Sequence, residues 1–141
     1  MKALDIDSQP CLIHTAGTPK AVLIQLTARH ERKTIDSELS LIEQGSQMGY
    51  VFVGIDLQQW ALSLMPWADE AVARDPEVGR HAIDTLDYVT RRLLPYIYNR
   101  YGQLPCILGG YSLGGLFSLW AASECPLFDA VAAASPSVWV K

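Results

Sequence analysis

The feature that most constrains the fold is an alternation. Four short runs, apolar on both faces, are separated by longer stretches with helical periodicity. The runs are Ala21 to Leu26 after the Gly17-Thr18-Pro19 turn signal, Tyr50 to Ile55 after Gly49, Cys106 to Leu108 after Pro105, and Ala130 to Ala134 before Ser135-Pro136. Runs of this kind read as strands of a parallel sheet covered on both sides. Between the first two, Ile35, Leu39 and Ile42 recur at helical spacing, and Gly49 is placed to cap that helix. From about His81 to Arg100, Ile83, Leu86, Val89, Leu93, Leu94 and Ile97 form one stripe that ends at Gly102, and Pro95 predicts a kink or the loss of one backbone bond. A last helix from Leu113 to about Glu124 presents Leu116, Phe117, Leu119 and Trp120. This alternation specifies an α/β fold: a doubly wound parallel sheet in a three-layer αβα sandwich. A further strand around Cys11 to His14 is weakly signalled.

The chain has 141 residues, with no internal repeat or low-complexity tract, and reads as one domain over 1–141. A net charge of −4 argues against a nucleic-acid partner, which needs a clustered basic face. The densest basic patch, Arg29, Arg32 and Lys33, is interrupted by Glu31 and followed by Asp36. Cys11, Cys106 and Cys125 are odd in number and far apart, which fits neither a disulfide framework nor a zinc site. No apolar stretch reaches the ~20 residues of a membrane helix. The first ten residues, "MKALDIDSQP", lack the apolar core of a secretory signal. A reduced, cytoplasmic setting without membrane, cofactor or metal is the expectation.

Chemistry is concentrated in "CILGGYSLGG", residues Cys106 to Gly115. It reads as strand, sharp turn, helix, with Ser112 at the turn. Such an elbow strains the backbone and projects the hydroxyl above the carboxyl edge of the sheet. Gly110 and Gly114 leave room where strand and helix approach closely, and the helix N-terminus adds positive potential. The Leu113 amide then faces a developing oxyanion, a contribution of roughly 3–4 kcal/mol in comparable sites. A helix cap and an anion-cradling loop are the competing readings of Ser112. The strand-turn-helix context and the lack of GxGxxG or a following lysine favour the nucleophile.

"GGYSLGGLFSLWAA" followed by "FDAVAAASPSVW" resembles the putative-esterase group of α/β-hydrolases, which includes enterochelin-type esterases and S-formylglutathione hydrolases. The resemblance runs most strongly from Pro105 to Trp139. It implies cleavage of carboxylic esters or thioesters, with Ser112 as acyl-accepting nucleophile and the Leu113 amide as one oxyanion donor. It places the second donor near Ala28 and sets "SPSVW", including Ser137, on the pocket floor. Together with right-handed crossovers it orders the four runs second, first, third, fourth across the sheet. The substrate is expected to be a small-molecule ester. Trp60 and Trp67, on the long segment after the second run, read either as an apolar wall for an acyl or aryl group or as packing of that loop onto the sheet. Tyr111 reads as core.

A serine hydroxyl needs a base. In this family the acid and then the histidine follow the serine along the chain. After Ser112 the chain carries only Glu124 and Asp129 as carboxylates and no histidine; His14, His30 and His81 all precede it. Of these, only His30 is expected near the elbow. The family would continue beyond Lys141, so the expectation is an incomplete domain, truncated after the fourth run, with acid and base in a further segment. The 141 residues alone are then expected to be inactive. A catalytically silent binding module and an acyltransferase are the alternative readings. The uncovered fourth strand is expected to pair with a second copy or with the missing C-terminal segment.

Overall fold

The structure is a computed structural model that describes Met1 to Lys141 throughout. Six strands form one sheet: β1 Lys2–Ile6, β2 Gln9–Ala16, β3 Val22–Ala28, β4 Tyr50–Leu57, β5 Cys106–Tyr111 and β6 Ala130–Ala134. Their spatial order is β1-β2-β4-β3-β5-β6. The four runs are β4, β3, β5 and β6 in that order and are mutually parallel. The sheet as a whole is mixed, because β1 and β2 add to β4 in antiparallel fashion. The weak signal at Cys11 to His14 is the middle of β2, which spans eight residues. No sequence signal marks β1. It turns into β2 through Asp7 and Ser8, both at positive φ (53° and 67°), the pattern of a tight mirror-image hairpin turn.

Helices lie on both faces but do not cover the whole sheet: Ala130, Ala132 and Ala134 of β6 are exposed, so the fourth run is not covered on both sides as its apolar pattern predicts. α1 Ile35–Gly45 lies on one face, where Ile35 and Leu39 pack with Leu12, Tyr50 and Phe52. On the other face, α2 Trp60–Leu64, α3 Ala82–Tyr88, α4 Leu94–Tyr101 and α5 Leu113–Glu124 bury the larger core with Val22, Ile24, Leu26, Val53, Ile55 and Leu108. Burying this apolar surface is the main stabilising term, at roughly 25 cal/mol per Å² removed from water. β3 and β4, at the centre, place all their residues in buried or half-buried positions, as strands covered on both sides must.

The structure refines four expectations. Gly49 does not cap α1, which ends at Gly45 with Ser46 extended and its N–H on the Ile42 carbonyl. Gly49 instead opens β4 so close to the Thr18 backbone that a side chain there would run into the Thr18 carbonyl. The irregularity expected at Pro95 in the stretch from His81 to Arg100 lies just before it. α3 and α4 are joined by a π-helical turn, Val89–Leu93, in which the Leu94 N–H reaches the Val89 carbonyl. The wider turn directly precedes Pro95, the second residue of α4, which donates no backbone hydrogen bond. The buried stripe starts at Ala82, not Ile83, which is 55 % exposed. Tyr111 is not core either: it is 53 % exposed and lines an open cleft on the α1 face.

Candidate active site

β5 delivers the chain to the elbow at the carboxyl edge of the sheet. Ser112 has φ 58° and ψ −115°, a strained conformation for a residue with a side chain, and Leu113 begins α5 at once. The turn is possible because an ideal Cβ on Gly110 would lie 2.7 Å from the Gly114 carbonyl carbon, closer than atoms pack. On the core side, the Trp60 ring closes the start of α5: a Cβ on Gly114 would sit 3.1 Å from its Cη2 atom.

The segment after β6 holds the elbow from the other side. The Ser112 N–H donates to the Ala134 carbonyl at 3.0 Å, and the Ser137 N–H donates to the Ser112 carbonyl at 3.1 Å. The two hydroxyls, Ser112 Oγ and Ser137 Oγ, are 3.0 Å apart. Ser112 is half-buried, whereas Ser137 is only 3 % exposed. Ser135 also takes a positive φ, 42°, where the chain leaves β6 and bends over α5. Farther on, the Lys141 N–H donates to Asp69 Oδ2 at 2.8 Å and ties this segment to the loop that carries Trp67. Trp67 itself is 38 % exposed.

As the first residue of α5, Leu113 has an N–H without an acceptor one turn back in the helix, so it can serve an oxyanion. Ala28 differs from expectation. Its N–H donates to Glu31 Oε2 at 2.7 Å, as the acidic third residue of the 3-10 turn Arg29–Thr34 folds back on the start of that turn. The amide expected to be the second oxyanion donor is therefore occupied by a carboxylate in this conformation. The spacing of Glu31 three residues after Ala28 is the capping pattern that could have signalled it.

No histidine or carboxylate hydrogen-bonds Ser112 Oγ, whose side-chain partner is Ser137. His14 Nε2 meets Glu43 at 2.8 Å at the far end of β2, and His81 sits between Glu77 (2.8 Å) and Asp84 (2.9 Å) at the head of α3. His30 borders the α1 face, without a hydrogen bond to the elbow. Of the later carboxylates, Asp129 Oδ2 accepts the Cys106 N–H at 2.8 Å, at the amino edge of the sheet and away from Ser112. Glu124 ends α5. The thiols offer no alternative nucleophile. All three cysteines are free, and burial pushes Cys11 to about 11 and Cys106 to about 12, so both stay protonated near neutral pH.

Two further features escaped sequence reasoning. Asp56, at the carboxyl end of β4, is 8 % exposed, has Arg32 Nη1 3.6 Å from Oδ2, and has no partner for Oδ1. On the α1 face, a cleft of about 560 Å³ runs over β3 and β5 between Ile42, Lys33, Phe52, Ile107, Tyr111 and Ala134. Neither Ser112 nor Trp60, Trp67 or Ser137 lines it.

No curated protein matches the chain. Among solved structures, the enterochelin esterase of Shigella flexneri superposes with a TM-score of 0.70 at 20% identity, covering 98% of this chain and 36% of that one. The siderophore hydrolase EstA of Aspergillus nidulans gives 0.71 at 23% identity, over 99% and 59%. A cold-adapted esterase from an Arctic intertidal metagenomic library gives 0.58 at 14% identity, over 94% and 56%. The chain thus spans between about a third and three fifths of the length of these structures, and the likeness establishes a shared fold of the α/β-hydrolase type. No helix is long and apolar enough to cross a membrane. The family described as putative esterase matches residues 49–141, which include β4, the elbow, α5 and β6. That match covers well over half of the chain, and the chain belongs to the putative-esterase family.

Proposed function

We propose that the chain carries the nucleophile of a carboxylic ester hydrolase, with Ser112 as the acyl-accepting residue. The observation that carries this reading is the strained Ser112 conformation directly before the free amides of α5. In the reaction, an electron pair of Ser112 Oγ bonds to the ester carbonyl carbon while the Oγ proton passes to an imidazole-class base. The carbonyl oxygen becomes an oxyanion held by the Leu113 N–H and by the Ala28 N–H once Glu31 is displaced. Collapse breaks the bond to the leaving oxygen, which takes the proton from the base. Water then attacks the acyl-enzyme: its oxygen bonds to the carbonyl carbon and its proton goes to the base, then the acyl–Oγ bond breaks, its electron pair returns to Oγ, and the base gives Oγ the proton.

The base and its carboxylate partner are proposed to come from residues outside 1–141, since no histidine of the chain bonds Ser112. Thioesters fit the same chemistry. The free thiols agree with a reduced, cytoplasmic setting. The competing reading, a silent binding module, draws on the same missing base.

Chemical rescue separates the two. The purified chain is incubated with p-nitrophenyl butyrate, with and without added imidazole, and Ser112→Ala provides the background. The expected result is near-inertness without imidazole. With imidazole, a butyryl adduct appears on the Ser112 peptide by mass spectrometry. Identical behaviour of the chain and Ser112→Ala at every imidazole concentration overturns the nucleophile assignment.

A further inference from the structure

Ser137 makes a contact that its place on a pocket floor does not require. Its hydroxyl is nearly sealed from water at 3 % exposure, and its one hydrogen-bond partner is Ser112 Oγ at 3.0 Å. Both backbones are locked in that relation, because the Ser137 N–H holds the Ser112 carbonyl and the Ser112 N–H holds the Ala134 carbonyl. Pro136 is wedged against α5, with its Cα 3.1 Å from where a Cβ of Gly115 would be. The hydroxyl pair is thus built in from both sides.

Geometry alone leaves the direction of the hydrogen bond open; the chemistry decides it. A buried hydroxyl that loses its partner is destabilising. Once Ser112 is acylated, its Oγ carries no hydrogen and can only accept. Ser137, with no other partner, must then be the donor. In the free enzyme the same direction turns the Ser112 proton away from the buried side, toward the half-exposed side where a base can reach it. In deacylation, the Ser137 O–H points at the oxygen that takes up the returning electron pair.

We infer that Ser137 is a positioning residue for the Ser112 hydroxyl, donating to Oγ throughout the acylation cycle. This rests on the reading of Ser112 as nucleophile, and the test keeps the two apart. Imidazole-rescued turnover of p-nitrophenyl butyrate and Ser112 acylation are measured for the full chain, Ser112→Ala, Ser137→Ala and Ser137→Thr, with thermal melting of each. One oriented hydrogen bond corresponds to roughly a tenfold change. The expected result is therefore an about tenfold lower rescued kcat in Ser137→Ala at unchanged KM, with Ser137→Thr within about twofold of the parent. Parental rates in Ser137→Ala, with Ser112→Ala inert, overturn the positioning role and leave the nucleophile standing. Equal losses in Ser137→Ala and Ser137→Thr, with lowered melting in both, also overturn it, because the hydroxyl is then not what matters. If the parent shows no Ser112-dependent acylation at any imidazole concentration, both readings fall together.

Discussion

Gly110 and Gly114 face each other across the elbow, and a Cβ on Gly110 would lie 2.8 Å from the Gly114 Cα. The obstacle is backbone at the start of a well-packed helix, so neither side can yield cheaply. Gly110→Ala is expected to destabilise the chain by at least the ~1–3 kcal/mol typical of overpacking a core. Because any relief moves α5 off β5, imidazole-rescued acylation of Ser112 should fall as well. Urea unfolding checks the first effect. A midpoint and slope equal to the parent's would show that the helix can shift freely, which contradicts the contact.

Glu31 provides a second test, because its carboxylate occupies the Ala28 N–H at 2.7 Å. If that amide is the second oxyanion donor, a substrate must first displace Glu31. Glu31→Ala should then raise the imidazole-rescued acylation rate several-fold while lowering stability by about 1 kcal/mol through the lost cap. Removing an oxyanion donor elsewhere lowers kcat by about 10²–10³, so a rate gain on freeing one is measurable. An unchanged or lower rate would move the second donor away from Ala28.

The contrast between these two positions illustrates what the sequence displays. The Gly110–Gly114 requirement is legible because only glycine fits, and the residue type announces the constraint. The Glu31 contact is less visible, because a glutamate after a turn reads equally as a solvated charge. The central strands were readable since β3 and β4 bury both faces and so show unbroken apolar runs. The β1–β2 hairpin was not, for its turn uses Asp7-Ser8 at positive φ, where Asn-Gly or Asp-Gly would give the usual signal. Tyr111 was misassigned because an apolar run does not tell which of its faces a helix covers. Ser137 was placed near the site by resemblance, but its bond to Ser112 depends on the bend at Ser135, which only the fold reveals.

His81 yields a pH dependence. Its hydrogen bonds to Glu77 and Asp84 raise its pKa above the ordinary histidine value. A group whose folded pKa is raised contributes stability that is fully present below the unfolded pKa, about 6.5. That contribution is lost as pH rises through the higher folded value. The clamp at the head of α3 should therefore loosen on going from mildly acidic to alkaline pH. Titration of the imidazole protons by NMR should give a midpoint above that of an exposed histidine. His81→Gln should flatten this part of the stability profile, and a His81 midpoint at or below the ordinary value would contradict the two contacts.

The last prediction concerns β6, the edge strand beside β5. The Asp129 N–H donates to the Cys106 carbonyl at 2.8 Å, so by strand alternation the N–H groups of Ala130 and Ala132 point away from the sheet. The strand is all Ala and Val, with no charge to repel a partner, and is not cut by proline before Pro136. In the segments flanking β6, Leu127 is 46 % exposed before the strand, and Val138 is 66 % and Trp139 62 % exposed after it. We propose that the 141 residues taken alone pair β6 with β6 of a second copy, antiparallel about a two-fold axis, which satisfies the free donors of both, unless the segment that supplies the base covers this edge. Ala132→Pro removes an outward donor without touching the bond to β5, and should shift the equilibrium toward monomer while leaving the circular dichroism spectrum unchanged. Sedimentation velocity over a concentration series decides it. Dimer in the parent and monomer in Ala132→Pro is the expected pair of results. A monomer in the parent at tens of micromolar would mean that the edge is protected by its short length and twist alone.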